Sequence, residues 1–242
     1  MKILEKITNR AKNAADVNVP CIAFLGDSVT QGCFELHEPV KGKPLETVYD
    51  SENNYQNKLK KIFELFCPKA TVAIINAGIS GDNAQNGAKR AEKDILRFNP
   101  DLVVVSYGLN DSHRGIEGID DYKKALTTIF KTVKESGAEC IFMTENMMNT
   151  YVSDRLTNEF LRELAEKSMS IENDGVLEKY FDAAKEVAAQ WGVAVCDVYS
   201  KWKKLNTFNI DITDLLSNSI NHPVREMHWL FAYSLFETML NN

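Results

Sequence analysis

The chain has 242 residues, of which 44% are hydrophobic and 26% are charged. This composition is normal for a globular protein and excludes the disordered, collagen-like and coiled-coil classes. The 28 basic and 34 acidic residues give a formal net charge of -6, and no basic block stands out. A nucleic-acid or anionic-membrane partner is therefore not expected. The length allows one sizeable core, so we expect a single domain over 1–242, with 1–19 as an N-terminal helical extension.

The cysteines and the first residues bear on the compartment. The five cysteines are widely spaced and form no CxxC pair. Those in apolar runs, Cys21, Cys140 and Cys196, are expected to be buried thiols, as in a reducing compartment. The first 19 residues carry charges throughout and lack the continuous apolar stretch of a signal peptide. No run of about 18 apolar residues marks a membrane span. These patterns predict a cytoplasmic protein.

Five short apolar runs rich in β-branched residues predict buried strands, because they lack the alternation of a half-exposed strand. The predicted strands are Cys21–Leu25, Thr71–Ile75, Leu102–Ser106, Glu139–Thr144 and Val193–Asp197. Between the predicted strands, apolar residues recur at helical spacing. The later helices are expected at Phe160–Ile171, Val176–Trp191 and from about Pro223 to Leu240. Strands that alternate with helices give right-handed crossovers and a parallel sheet covered on both faces.

Two predicted loops, Cys33–Asn53 and Glu145–Thr157, are too long to be mere connectors. Both follow strands and therefore lie at the carboxyl edge of the sheet, where open α/β sheets bind ligands. We expect the functional site at this edge. Met147 and Met148 in the second loop either line an apolar acyl or sugar site or fill gaps in the core.

Short polar motifs follow three of the strands and precede the last helix. Ser28, in the sequence GDS, lies on the turn after the first strand, where a glycine permits the turn and a helix N-terminus supplies amide donors. After the second strand, the glycine-rich turn Asn76–Asp82 can aim a backbone N–H at an oxyanion, and after the third strand Asn110 can offer its side-chain amide. His222 is expected at the loop–helix junction, with Pro223 at the first helical position. Together they form an acyl-transfer constellation.

The motifs GDS, the glycine of NAGISGD, GLND and NHP resemble, in order and spacing, the four blocks of the SGNH hydrolases, also called the GDSL esterase/lipase family. The resemblance implies a three-layer α/β/α sandwich with a five-stranded parallel sheet in flavodoxin-like order, and no metal or organic cofactor. It also implies that Ser28 is the nucleophile and His222 the general base. The implied oxyanion hole consists of the N–H groups of Ser28 and Gly81 and the Asn110 side chain.

The segment before His222 departs from the family pattern, in which an aspartate usually lies three residues earlier. That position is Ser219 here, and the one before it is Asn218. Three alternatives stay open: Asp214 reaches the imidazole over a longer loop, a backbone carbonyl orients His222 in a Ser–His dyad, or catalysis is impaired. A carboxylate holds the tautomer and stabilises the imidazolium, whereas a carbonyl supplies only the tautomer control.

The resemblance predicts a serine esterase that hydrolyses a short-chain acyl ester through a Ser28 acyl-enzyme, with acetyl esters of carbohydrates as one substrate class. The expected partner is thus a small-molecule ester, and the sequence does not indicate an oligomeric state. Two alternatives are a lipase or lysophospholipase type of acyl hydrolase and a catalytically impaired binding protein of the same fold. A nucleotide-binding module is not supported, because neither GxxxxGK nor GxGxxG occurs.

The remaining histidines and the aspartates near the motifs have simpler interpretations. His228 flanks an apolar stripe and is expected to be a packed boundary residue. His113 is expected to be solvated in a loop, and the sequence does not decide for His37. The aspartates have no metal-ligand spacing and are expected to cap turns; they are Asp27, Asp82 and Asp111.

Overall fold

The computed structural model describes residues 1–37 and 46–242, so the middle of the first long loop, 38–45, lies outside the described residues. The described strands are β1 Cys21–Gly26, β2 Cys33–Leu36, β3 Thr47–Tyr49, β4 Ala73–Gly78, β5 Leu102–Ser106, β6 Glu139–Met143 and β7 Ala194–Cys196. The described α-helices are α1 Lys2–Lys12, α2 Ser28–Gln31, α3 Tyr55–Phe66, α4 Ala84–Asp94, α5 Leu109–Ser112, α6 Ile119–Glu135, α7 Glu159–Asn173, α8 Val176–Gln190, α9 Val198–Thr207 and α10 His228–Asn241.

Five strands form one parallel sheet in the order β4-β1-β5-β6-β7. The three central strands β1, β5 and β6 are buried, as hydrophobic runs without alternation predict. The edge strands β4 and β7 are partly exposed. Helices α4, α6 and α8 pack beside one another on one face, and α3 packs against α10 on the other. The expected three-layer α/β/α sandwich with flavodoxin-like strand order is therefore confirmed. Among the described helices, none has the length and apolar character needed to cross a membrane.

The N-terminal helix α1 packs onto this core. Its apolar residues Ile3 and Ile7 are each only 1% exposed and join the main hydrophobic cluster. The free N–H groups of its first turn need acceptors, and the Glu139 carboxylate at the start of β6 accepts from Lys2 and Ile3 at 3.0 and 2.9 Å. A carboxylate at a helix N-terminus is also favoured by the helix dipole. These contacts fix α1 to the amino end of the sheet.

The predicted bounds of the second sheet strand are wrong by two to three residues. β4 begins at Ala73 and continues beyond Ile75 to Gly78. Its backbone stays in register with β1 as far as the pair Gly26 and Gly78. The glycine-rich turn that carries Gly81 therefore starts later than the apolar pattern indicates.

The predicted start of the last helix is also wrong. α10 begins at His228, after a 3-10 turn at Arg225–Met227, and not near Pro223. Pro223 pairs with Leu216 in an antiparallel bridge, and the Ser217 N–H donates to the His222 carbonyl at 2.7 Å. His222 consequently lies in an extended segment that folds back on the residues before it.

Both long loops contain order that the sequence did not reveal. β2 and β3 pair as an antiparallel hairpin at the two ends of the first loop. In the second loop, residues 145–149 are all buried. Met147 and Met148, 4% and 0% exposed, lie in the main hydrophobic cluster, which favours the gap-filling interpretation. Of the cysteines expected to be buried, Cys140 and Cys196 are, whereas Cys21 is half-buried.

His228 is packed as expected, but it is fully buried and not at the boundary of an apolar stripe, and it occupies the first position of α10. Its ring packs against the rings of Phe34, Tyr55 and Phe231 at centroid distances of 4.9 to 6.0 Å. Neither ring nitrogen has a hydrogen-bond partner among the described residues. Burial lowers the pKa of His228 to about 3. The imidazole is thus a neutral aromatic packing group.

Replacement of His228 by phenylalanine should therefore change how stability depends on pH. An unfolded chain protonates this histidine below its ordinary pKa of 6.5, whereas the folded protein does so only near 3. Within that window acid favours the unfolded state of the wild type, by up to about 1.4 kcal/mol per pH unit. Urea unfolding of both proteins between pH 7 and 5 should show the variant gaining stability relative to the wild type as the pH falls. A stability difference that is constant over this range would contradict the assignment.

Candidate active site

Ser28 lies at the carboxyl edge of the sheet because α2 begins directly after β1. Asp27 caps this short helix, and its carboxylate accepts from the Val29 N–H at 3.0 Å. The sequence interpretation assigned Gly26 a conformational role in the turn, but its φ is not left-handed. Gly26 is needed for space, since a Cβ there would lie 2.1 Å from Thr30 Oγ1.

Ser28 and His222, 194 positions apart in the chain, are in direct contact. The Nε2 atom of His222 lies 3.0 Å from Ser28 Oγ, and its Nδ1 atom lies 2.8 Å from the Phe34 carbonyl oxygen. A carbonyl only accepts, so Nδ1 carries the hydrogen and Nε2 is free to accept the serine proton. Burial lowers the pKa of His222 to about 4. The imidazole is therefore neutral and oriented as a base towards the serine hydroxyl.

Asp214, one alternative for the third catalytic group, does not contact His222 in this structure. Its half-exposed carboxylate pairs with Arg155 at 2.9 Å. Of the alternatives left open by the sequence, the arrangement found is the one with a backbone carbonyl at the imidazole. The alternative in which Asp214 reaches back to the imidazole is not the arrangement found, because its carboxylate is paired with Arg155 and the Phe34 carbonyl occupies Nδ1 of His222.

The loop before His222 is organised by Asn218, a residue to which the sequence assigned no role. Its side-chain oxygen accepts from the N–H groups of Ile220, Asn221 and His222 at 3.0, 2.9 and 2.9 Å. This pattern of side-chain to backbone bonds closes a tight turn. The turn places the Asn218 side chain, and not a carboxylate, against the backbone N–H of His222.

The Phe34 carbonyl is itself held in place by an ion-pair cluster. Arg225, three residues after His222, binds the Glu35 carboxylate through two nitrogens at 2.6 and 3.1 Å. Its third nitrogen donates to Asp50 at 2.7 Å, and its guanidinium lies 4.4 Å from the centre of the Phe34 ring. Glu35 belongs to β2, and Asp50 directly follows β3. Arg225 thus fastens the hairpin to the segment that carries His222.

The three expected oxyanion donors differ in their availability. The N–H groups of Ser28 and Gly81 make no hydrogen bond within the described residues, and Gly81 has the left-handed φ of 77°. The Asn110 amide nitrogen, by contrast, lies 3.0 Å from Asp27 Oδ2 and 2.9 Å from the Asp82 carbonyl oxygen. An oxyanion must compete with these acceptors for an Asn110 hydrogen.

The aspartates near the motifs play different parts. Asp27 caps α2, and Asp111 accepts from the Ala84 N–H at 3.1 Å at the start of α4. Both carboxylates thus have the capping role expected of them. Asp82 instead forms an ion pair with Arg90 at 2.7 Å. In the part of the chain that the structure describes, no three His, Cys, Asp or Glu side chains are grouped to hold a metal ion.

His113 departs from its expected environment. It is half-buried at the end of α5 and not freely solvated. Burial lowers its pKa to about 4.

A buried Ser–His pair beside free backbone donors, at the carboxyl edge of an α/β sheet, can be compared with known proteins. Residues 24–230 match the GDSL-like Lipase/Acylhydrolase family. The chain belongs to this family. An arylesterase from Vibrio mimicus is 32% identical over 95 residues, which are 37% of this chain and 47% of that protein. An acetylxylan esterase from Geobacillus stearothermophilus is 25% identical over 134 residues, 51% of this chain and 58% of that protein.

The matched segments thus span about half the length of these curated relatives. In comparisons with solved structures, the similarity of fold covers most of this chain. The acetylxylan esterase structure has a TM-score of 0.65 at 18% identity and covers 91% of this chain and 94% of its own. A two-domain esterase active on acetylated mannans has a TM-score of 0.66 at 21% identity, covering 99% of this chain and 52% of its own.

Alanine in place of Asp214 should change kcat/KM for p-nitrophenyl acetate by less than about threefold, because an exposed ion pair contributes little. Asn218→Ala should lower kcat by at least about tenfold, since three amide groups that fix His222 lose their acceptor. Circular dichroism checks that both variants fold. A loss of about 10²–10⁴ on removal of Asp214 alone would show that its carboxylate acts on the imidazole.

Methionine in place of Arg225 should lower kcat by about tenfold, with a smaller effect on KM. The reason is that the hairpin which carries the Phe34 carbonyl loses its ion pairs, so the imidazole is less well oriented. Arg155→Met is the matched control: this arginine also binds a carboxylate, but one away from His222. Steady-state kinetics of the two variants provide the measurement. Equal kcat values for both would mean that the hairpin keeps its position without Arg225.

Proposed function

We propose that the chain is a serine esterase with Ser28 as nucleophile and His222 as general base. The observation that carries this proposal is the 3.0 Å contact between His222 Nε2 and Ser28 Oγ, with Nδ1 fixed by the Phe34 carbonyl. Nε2 takes the hydroxyl proton as Oγ bonds to the ester carbonyl carbon. The imidazolium then gives this proton to the leaving alcohol oxygen, and the C–O bond breaks. Water, deprotonated by the same nitrogen, finally releases the acid from the acyl-enzyme.

The oxyanion of the tetrahedral intermediate would be bound by the Ser28 and Gly81 N–H groups, which have no other acceptor among the described residues. Donors that are fixed before the reaction stabilise such a charge without reorganisation. Asn110 contributes a third donor when one of its hydrogens leaves Asp27 or the Asp82 carbonyl. The proposed oxyanion hole therefore has two ready donors and one that is shared.

The proposed substrate is a small molecule with a short acyl group, and acetyl esters of carbohydrates are the favoured class. Ser28 and His222 are only 3% and 4% exposed, which supports a compact acyl group. The relatives include an arylesterase and an acetylxylan esterase. The long-chain alternative comes from a thioesterase and lysophospholipase of Escherichia coli, 30% identical over 83 residues. Rates on esters of increasing acyl length, compared with acetylated xylo- and manno-oligosaccharides, distinguish the two classes.

The proposal extends to the setting of the protein. All five cysteines are free thiols, which supports a reducing compartment such as the cytoplasm. The acidic net charge of -6 argues against a nucleic-acid partner. We further infer that residues 1–242 form one domain, since the N-terminal helix shares the main hydrophobic cluster with the last helix.

Removal of either proposed catalytic group should abolish ester hydrolysis in a folded protein. Ser28→Ala and His222→Ala should each lower kcat/KM for p-nitrophenyl acetate by at least about 10³. An organophosphonate should label Ser28 and be traced to it by mass spectrometry of the digested protein. Ser168→Ala, which removes another fully buried hydroxyl, should retain the wild-type rate. Activity of the Ser28 variant within tenfold of wild type would refute the assignment.

A further inference from the structure

Behind the Ser28 turn lies a cluster of buried carboxyl groups that the proposed reaction does not use. Asp27 and Glu145 are fully buried and Asp111 is 4% exposed. None of the three forms an ion pair with a described cationic side chain, whereas their neighbour Asp82 pairs with Arg90. Buried carboxylates without a counter-charge are costly, so some of these groups must hold a proton.

Glu145 connects the ends of three strands. It lies two residues after the end of β6. Its Oε2 atom accepts from the Leu109 N–H at 3.0 Å, at the start of the helix that carries Asn110. Asp27, after β1, binds the side chain of Asn110, the residue next to Leu109, so the two carboxyls are neighbours, and a side-chain hydrogen bond joins them. The Oε1 atom of Glu145 meets no donor in the described part of the chain. Two carboxyls in such contact form a hydrogen bond only if they share one proton.

The contacts indicate which of the two groups holds that proton. Asp27 already accepts from the Val29 N–H and from the Asn110 amide, and both bonds favour its ionised form. Glu145 accepts a single backbone bond. Burial and the charge of Asp27 raise the pKa of Glu145 well above its usual range. Burial also raises the pKa of Asp27, but only to about 6, because the hydrogen bonds from Glu145 and Val29 oppose the shift.

We propose that Glu145 is a positioning residue which, in its protonated form, donates to ionised Asp27 and so holds the Ser28 turn and the Asn110 amide in their working geometry. The inference rests on the proposed esterase function for its kinetic consequence. Ionised Asp27 stays an acceptor for the Val29 N–H and for the Asn110 amide. The proton on Glu145 lets Asp27 remain ionised although it is fully buried.

Other ionisable groups face this pair from the surrounding elements. The tyrosines stay neutral, since burial raises the pKa of each; they are Tyr55, Tyr107 and Tyr122. Burial likewise raises the pKa of Cys33 to about 12. Asp82 is bound by Arg90. Asp111, whose pKa burial raises to about 7, is the group whose titration must be separated from that of Asp27.

The acid limb of the kcat/KM profile, the fall in activity at low pH, should then depend on Asp27. Protonation of Asp27 adds a second proton to a pair arranged for one and removes an acceptor from Val29 or Asn110. With pKa values of about 6 for Asp27 and about 4 for His222, activity should fall first near pH 6. If only the base mattered, activity would persist to about pH 4.

The kinetic test compares two substitutions of Glu145. Glu145→Leu should lower kcat by about 10- to 100-fold, because a hydrogen bond to a charged group is lost, and should move the acid limb to higher pH. Glu145→Gln keeps a donor for Asp27 and an acceptor for Leu109, so it should recover most of this loss. Asp27→Asn should move the limb down towards that of His222, whereas Asp111→Asn should leave it in place.

Glu172 provides a matched control for the leucine substitution. It is also buried, at 7% exposure, and accepts a backbone N–H, that of Met148, at 2.8 Å. Glu172→Leu should reduce stability without moving the acid limb. A limb unchanged in Glu145→Leu, or moved equally in Glu172→Leu, would overturn the positioning role. If Glu145→Leu fails to fold, the Asp27→Asn profile decides: an acid limb that stays near that of the wild type overturns the proposal.

Infrared difference spectroscopy tests the shared proton without reference to activity. Wild type minus Glu145→Gln at neutral pH should show the C=O stretch of a protonated carboxyl, which the Asp111→Asn variant retains. Absence of this band would overturn the proposal even in an active enzyme. A wild type with the band but without ester turnover would instead refute the proposed function and leave the proton-sharing pair intact.

Discussion

The close approach of α2 to the ends of β1 and β4 is the constraint on which the site depends. A Cβ on Gly26 would lie 2.1 Å from Thr30 Oγ1, and one on Gly78 would lie 2.2 Å from the Gln31 backbone nitrogen. Glycine at both strand ends therefore lets the helix rest directly on the sheet. The first turn of that helix then presents Ser28 and its free N–H at the carboxyl edge, beside the loops that follow β4 and β5.

The fold and the central pair of the candidate site could be predicted because each depends on local patterns. Buried β-branched runs identify the parallel strands, and the order of strands and helices limits their connection. A polar residue in the turn that follows a buried strand must lie at the carboxyl edge, which places Ser28 and Asn110 there from sequence alone. His222 was found by its motif, although its predicted helical context was wrong.

The features that sequence reasoning missed depend on contacts between distant segments. Every residue has a carbonyl, so nothing in the sequence distinguishes Phe34 as the partner of His222. The bonds of Arg225 across the hairpin likewise join positions about 175 to 190 residues apart. Glu145 did leave a signal, because a carboxyl within a buried apolar stretch requires a partner. Its position shows that a proton or a cation is needed there, but it does not show that the proton is shared with Asp27.

A carbonyl at the imidazole changes how the charge of the proposed transition state is stabilised. Phe34 fixes the tautomer of His222 but carries no full charge, and the nearby Glu35 is already paired with Arg225. The imidazolium therefore finds its counter-charge in the oxyanion that forms at the same moment, since opposite charges attract strongly in a buried site. A base with a pKa of about 4 is also weak, so less driving force comes from proton transfer. The donors around the oxyanion must supply the difference, which makes the environment of Asn110 central to the rate.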